Sequence, residues 1–157
     1  KSSPVVQPLH CLFIEKAGRP EIYADIHGGT NFYWELADIV PQAKRYVEAH
    51  QKRFNMPPGD YGAYAYSGIM EVARGIELTR STDPKVVADT LRTSREYDHY
   101  KGKQWWRACD GKSFQDMWIV KGREQGKTRG EWGLLEVVAR IPASEETDRT
   151  CAEKGFA

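Results

Sequence analysis

The spacing of apolar and polar side chains divides the chain into short stretches of changing period. PVVQPL, from Pro4 to Leu9, is a β-branched apolar run with a polar boundary and predicts a strand; FIEKAG after it predicts a brief helix closed by Gly18. In IYADIHGG, Ile22, Ala24 and Ile26 alternate with Tyr23, Asp25 and His27, the pattern of a strand with two unlike faces, which Gly28 and Gly29 are expected to end. PQAKRYVEAHQKRF puts Ala43, Tyr46, Val47 and Phe54 on one stripe and its charges elsewhere, an amphipathic helix over 41–54 broken by NMPPGD. A second helix is predicted in YGAYAYSGIMEVARGIELTR, where Tyr66, Ile69, Met70, Ala73 and Ile76 or Glu77 recur at helical spacing. STDPKVVADTL gives a third start: Asp83 can accept from the first free amides, and Pro84 has the fixed φ that suits the first helical position.

The period then shortens. GKQWWRACDGKSFQDMWIVKG holds two aromatic-rich runs around Asp110-Gly111, a dipeptide suited to a tight turn, and predicts an antiparallel hairpin near the end of a sheet. REQGKTRG is a polar linker, and WGLLEVVARIP a final apolar strand before a polar tail. The alternation of strands and helices, without an internal repeat, predicts a small α/β protein with one late return crossing.

GGTNFYWEL stands out in this pattern, because Phe32, Tyr33 and Trp34 are adjacent in a connector just ahead of a helix. Neighbouring side chains cannot share one face of a helix or strand, so these rings must point in different directions.

Composition sharpens what this fold can meet. The 157 residues are 40% apolar and 29% charged, the balance of one soluble globular domain, and 23 Lys and Arg against 22 Asp and Glu give no global field toward nucleic acid or anionic membranes. QWWR could stack nucleobases, but with balanced charge a buried hairpin face is the better reading. No apolar run approaches the roughly 20 residues that cross a bilayer, and no signal peptide is visible, which is uninformative if the chain is a fragment or a processed product. Cys11, Cys109 and Cys151 form no metal-spaced pair; they are either three reduced thiols or include one disulfide, for which Cys109 with Cys151 is the preferred pair, tying the tail to the hairpin. His10, His27, His50 and His99 are scattered, and no phosphate loop, nucleophile elbow, HExxH pair or calcium loop occurs. Catalysis, a metal and a cofactor are not indicated.

The order of segments says more. FYWELADIVPQAKRYVEAHQKRF, PPGDYGAYAYSGIMEVARGIE, STDPKVVADTLR, CDGKSFQDMWIVKG and EWGLLEVVARIP together resemble the C-terminal part of the type I periplasmic substrate-binding proteins of ABC importers, in their branched-chain amino-acid-binding-like branch. The likeness covers nearly the whole chain and rests on the ordered set, no single motif being diagnostic. It implies an α/β fold of two Rossmann-like lobes with interlobe crossovers, of which only the C-terminal portion is present. Residues 1–30 would end the second lobe, 31–131 form the C-terminal part of the first, and 132–157 return to the second. Neither lobe being complete, unpaired sheet edges and apolar patches are expected to be exposed.

The resemblance further implies a non-enzymatic solute-binding component that captures an amino acid, amide or aromatic or other carboxylic acid in an interlobe cleft. Its partners would be that ligand, ABC permease membrane subunits and the missing N-terminal half, with no nucleic acid. Its location would be periplasmic, or that of a lipoprotein on the outer face of the cell membrane. A ligand-sensing regulator or receptor ectodomain of the same fold is the alternative, and a small enzyme with a dispersed site a third. Carried over by position, His10 lies near where amino-acid-binding relatives place a carboxylate, and no carboxylate stands at 9–11. That departure leaves room for a carboxylate, amide or aromatic solute to which His10 could donate. Ala63 falls where some relatives have an aromatic wall, a role Tyr61 or Tyr64 could take over, while Tyr66 fits core packing. Asn31, Phe32, Tyr33 and Trp34 would be divided between a hinge-side ligand wall and the packing of each lobe.

Overall fold

A computed structural model describes residues 5–156. The expected strand PVVQPL begins at Pro4, outside those residues; within them it forms only the short β1, Val6–Gln7. β1 pairs in parallel with β2, His27–Thr30, which runs antiparallel to β6, Met117–Gly122, and β6 runs antiparallel to β7, Leu135–Ile141. The result is one mixed sheet in the order β1-β2-β6-β7. Because β6 lies between β2 and β7, this sheet takes strands from each of the segments 1–30, 31–131 and 132–157. A second, antiparallel sheet contains β3, Tyr97–His99, β4, Gly102–Trp106, and β5, Ser113–Gln115.

Locally specified elements form as their chemistry demands. α2, Pro41–Phe54, buries Ala43, Tyr46 and Val47 and ends on Asn55 in the left-handed conformation. Phe54 belongs to the expected stripe but lies exposed, packing against His50 with the Arg53 guanidinium over its ring. In α4, Pro84–Thr93, the Asp83 carboxylate accepts from the amides of Lys85 and Val86. The expected hairpin is β4 and β5, with Gly111 at φ +64, but it sits in the smaller sheet while MWIVKG crosses into the larger one as β6.

Two expectations fail for tertiary reasons. Ile22 to Ile26 do not form a strand: Pro20 starts a 3-10 turn, Pro20–Tyr23, and Asp25 at φ +61 breaks any extension, so β2 begins two residues later and contains the glycines that were expected to end it. Gly28 is required there, since a Cβ would overlap the Gln7 carbonyl and the His10 ring. In α3, Asp60–Thr79, only part of the expected core stripe packs: Tyr66 stacks on Tyr46 at 4.4 Å, Ala73 and Ile76 are half-buried, and Ile69 and Met70 are exposed, while Asp60, Ala63, Glu71 and Gly75 are buried. Gly75 fits closely against Val87 and Leu91 of α4, and Glu71 accepts from the Trp106 indole, so a face carrying a carboxylate and a glycine meets these neighbours.

The core has two clusters. Phe32, Leu36, Ala43, Tyr46, Val47, Ala63, Tyr100 and Trp118 form one; Leu12, Tyr33, Val120, Leu134 and Leu135 form the other. The 3-10 turn Trp34–Asp38 is fixed to the end of β6 by Glu35, which takes both guanidinium nitrogens of Arg123 at 2.9 Å. Apolar side chains remain exposed on β1 at Val6, on β7 at Val138 and Ile141, and along α3 at Ile69 and Val72.

Candidate functional site

The aromatic connector is divided between the two cores. Phe32 packs at 5.4 Å from the Tyr46 ring and 5.5 Å from Tyr100 in the first cluster. Tyr33 enters the second, where its hydroxyl donates to the Trp132 carbonyl and accepts from the Leu135 amide, both at 3.2 Å. Trp34 touches both clusters and also donates to the Trp132 carbonyl. Asn31 is buried, its amide donating to the Tyr100 hydroxyl, and both its carbonyls accept from the Lys101 ammonium, which also donates to the Asp116 backbone at 2.9 Å. Burial pulls the Lys101 pKa down to about 7, against the pull of Asp116. A role for Phe32 and Tyr33 as an open ligand wall is not what this chain displays: each ring has a core to fill, and each is enclosed by it.

A different group of expected residues does converge. His10 leaves β1 with its amide on the Gly29 carbonyl at 2.8 Å and its Nδ1 paired with Glu15 on α1, Leu12–Ala17, both side chains fully buried. His10 Nε2 and Glu15 Oε2 find no partner. Beside them Cys11 has its thiol pushed up to about 11, first by burial and then by Asp60. Asp60, the first residue of α3, is only 2% exposed, yet neither carboxylate oxygen accepts a hydrogen bond of normal geometry. A carboxylate at a helix N-terminus interacts favourably with the helix dipole. Tyr61 and Tyr64 flank it, 59% and 43% exposed. Both phenol pKa values are raised, that of Tyr61 chiefly by Cys11 and that of Tyr64 by desolvation and then Asp60.

Cys11, the neighbour of His10 in sequence, thus meets Asp60 and Tyr61 with Tyr64 close by, whereas Ala63 faces the first core cluster. Asp60, Glu15 and Cys11 were missed as functional candidates. Positions 9–11 hold no carboxylate, but two stand beside them in the fold: Glu15, one turn into α1, pairs with His10, and Asp60 meets Cys11. Asp60 reads as part of a helix-breaking loop in NMPPGD; its place just before a long helical pattern was the usable signal.

Tyr64 also opens onto a cavity of about 380 Å³ between β5 and the C-terminal tail, shared with Asn31, Ser113, Gln115, Pro142 and Asp148. Ser113 Oγ and Gln115 Oε1 are buried there without partners. The tail is held by the Cys109–Cys151 disulfide, leaving Cys11 as a buried free thiol. Around that disulfide Arg107 and Lys154 both contact Asp110 and Asp148 and hold these carboxyls well below the usual range, Arg107 leading at Asp110 and Lys154 at Asp148. Among the described residues no three His, Cys, Asp or Glu side chains are placed to hold a metal ion, and no helix is long and apolar enough to cross a membrane.

Comparison with known proteins places this geometry in context. Residues 13–127 match the sequence family described as periplasmic binding protein. No curated protein sequence matches the chain. An amino acid ABC transporter substrate-binding protein from Pseudomonas fluorescens superposes with a TM-score of 0.85 at 19% identity, covering 98% of this chain and 40% of its own. A branched chain amino acid ABC transporter periplasmic ligand-binding protein from Burkholderia xenovorans gives 0.78 at 22% identity over 90% of this chain and 37% of its own. An ABC transporter solute binding protein from Rhodopseudomonas palustris, in complex with 3,4-dihydroxybenzoic acid, gives 0.64 at 16% identity over 80% of this chain and 33% of its own. The chain therefore spans less than half the length of these structures, and at such identities the likeness shows the fold.

Proposed function

The chain belongs to the periplasmic binding protein family, and we propose that it is part of the solute-binding component of an ABC-type importer. In this reading it captures a small organic ligand, an amino acid, an amide or an aromatic or other carboxylic acid, between two lobes and delivers it to a membrane permease. The observation that carries the proposal is Asp60, a buried carboxylate with two unsatisfied oxygens beside the exposed rings of Tyr61 and Tyr64. Such a carboxylate accepts from an ammonium or amide N–H, and tyrosine supplies an apolar wall with one polar handle. An amino acid or amide therefore suits this side of the cleft better than the sequence alone suggested, since the acidic group is present after all.

The opposite wall would come from a further portion of the protein, the N-terminal half in its relatives, which would also cover the exposed edge of β7 and the outer face of α3. We place the return to the second lobe at Met117, the start of β6, in preference to residue 132, because β6 is hydrogen-bonded between β2 and β7. Closure around ligand would be stabilised because only the closed arrangement makes both sets of contacts. The location would be the periplasm, or the outer face of the cell membrane for a lipoprotein.

Thermal shift and calorimetric titration of the intact protein with amino acids, amides and aromatic acids test the reading. A ligand that stabilises the protein without being turned over is expected, and Asp60→Asn or Tyr64→Ala should weaken it about tenfold or more, the cost of one lost buried polar or aromatic contact. Turnover of a bound solute would replace the binding reading with an enzymatic one. Unchanged affinity in Asp60→Asn, Tyr61→Ala and Tyr64→Ala alike would remove this site.

A further inference from the structure

The chain passes between the larger sheet and the rest of the molecule at three places: after β2, between β5 and β6, and after β7. One polar cluster holds all three passes. Lys101, in the turn between β3 and β4, donates at the first pass to the Asn31 carbonyl at 2.8 Å and to the Asn31 side-chain oxygen. At the second it donates to the Asp116 carbonyl at 2.9 Å. The Asp116 carboxylate then takes the Ala143 amide of the third pass at 3.0 Å, and Arg140 at 2.7 Å. Within this cluster the first pass is joined to the other two through the Lys101 amine alone.

A charge on that amine is costly. Lys101 is only 2% exposed, its three acceptors are neutral, and both side-chain oxygens of Asp116 are already taken. Burial accordingly brings its pKa down to about 7, against the pull of Asp116. A neutral amine keeps two N–H groups, enough to join Asn31 to Asp116. The charged form has a better place close by. Lys101 is among the residues lining a cavity of about 430 Å³, and so is Asp98, which is exposed and forms no ion pair among the described residues. The other charges around the cavity are occupied, Arg140 by Asp116 and Lys103 by Glu96. His99, on β3, has its pKa lowered by desolvation, and the Tyr100 phenol is raised by burial, so both stay uncharged through the mildly alkaline range.

We propose that Lys101 is a proton-operated latch between the first pass and the other two. Neutral, the amine stays on Asn31 and Asp116, and the three passes move together. Charged, it leaves for the cavity beside Asp98, where water solvates it, and the segment after β2 is freed. Opening takes up one proton from solvent and closing returns it. Because the buried amine gives up its proton at lower pH than a solvated one, rising pH favours the latched state. No ligand enters the argument, so the latch holds or fails apart from the solute-binding reading.

Hydrogen–deuterium exchange of the full chain, followed by mass spectrometry from pH 6 to 9 and corrected for the intrinsic pH dependence of exchange, tests it. Residues 30–36 should exchange faster than residues 43–47 in the core of α2 at every pH, which separates local opening from unfolding of the whole chain. Their protection should rise about tenfold per pH unit above about pH 7.5 and level off below about pH 7, as one linked proton requires. Lys101→Met should abolish that rise. Asp98→Asn, an exposed change, should raise the protection of residues 30–36 about twofold, the weight of one solvated ion pair. The ¹³Cε signals of the lysines in the unaltered chain give a measurement that needs no variant: that of Lys101 should titrate near neutral pH while the others stay in place. The latch is overturned if no lysine titrates below pH 9, if residues 30–36 exchange no faster than 43–47, or if folded Lys101→Met keeps the pH dependence. Unchanged protection in Asp98→Asn would overturn Asp98 as the place the ammonium goes.

Discussion

Lys101 shows how one buried residue can set a property of the whole chain. Its ammonium joins the carbonyls of Asn31 and Asp116, tying the aromatic connector to the start of β6 without a carboxylate to neutralise it. Burial lowers its pKa from 10.5 to about 7, so above the folded value the unfolded chain binds the proton more readily than the folded one. Stability should therefore rise with pH through this window, by about 2 kcal/mol between pH 7 and pH 9 for a single group. Above that range Cys11, raised from 9.0 to about 11, opposes the trend, and the raised phenol of Tyr100 does so from higher pH still. Lys101→Met should flatten the rise while lowering stability overall, since it leaves three buried carbonyl oxygens without a donor. Urea unfolding at a series of pH values measures both effects; an unchanged slope in the variant would assign the pH dependence to another group.

At the scale of elements, what is written locally can be tested locally. Asp83 accepts from the Lys85 amide at 2.8 Å and the Val86 amide at 3.1 Å, so Asp83→Ala should cost about 1 kcal/mol in chemical denaturation, with Asp83→Asn recovering most of it. This cap, the stripe of α2 and the Asp110-Gly111 hairpin were legible because each depends on residues a few positions apart. The buried face of α3 was not. Its apolar stripe has the right period, and Tyr66 does stack on Tyr46, but periodicity does not say which neighbour arrives further along: Ile69 and Met70 meet none of the core, and α4 arrives against Gly75 and Trp106 against Glu71. β2 was misplaced for a similar reason. Ile22 to Ile26 alternate correctly, but Asp25 turns left-handed and its amide bonds the Gly122 carbonyl, a contact made across nearly a hundred residues. Of the candidate site, Tyr61 and Tyr64 could be found because a tyrosine-rich helix start is visible in sequence. Asp60 could not be joined to Cys11 before the fold brought the start of α3 to α1.

For the whole molecule the outward stripe of α3 has a direct consequence. Ile69 is 71% exposed and Val72 lies exposed beside it, while Val138 and Ile141 leave the outer edge of β7 apolar. Soluble chains rarely leave such surface uncovered, and an unpaired strand edge is a ready template for pairing. Under the proposed function a further portion of protein covers this surface; for the 157-residue chain by itself another copy is the available cover. The chain alone should therefore self-associate, and replacing Ile69→Lys together with Val72→Glu should shift it toward monomer without altering its helix content, because neither side chain belongs to a core cluster. Light scattering coupled to size exclusion measures the first effect and far-ultraviolet circular dichroism the second. If association is unaffected by the α3 pair but is abolished by Val138→Lys, the β7 edge is the adhesive surface. If the chain is monomeric from the outset, the exposed stripe is not sticky enough to need a partner. That outcome would weaken the view that a second portion of protein covers α3.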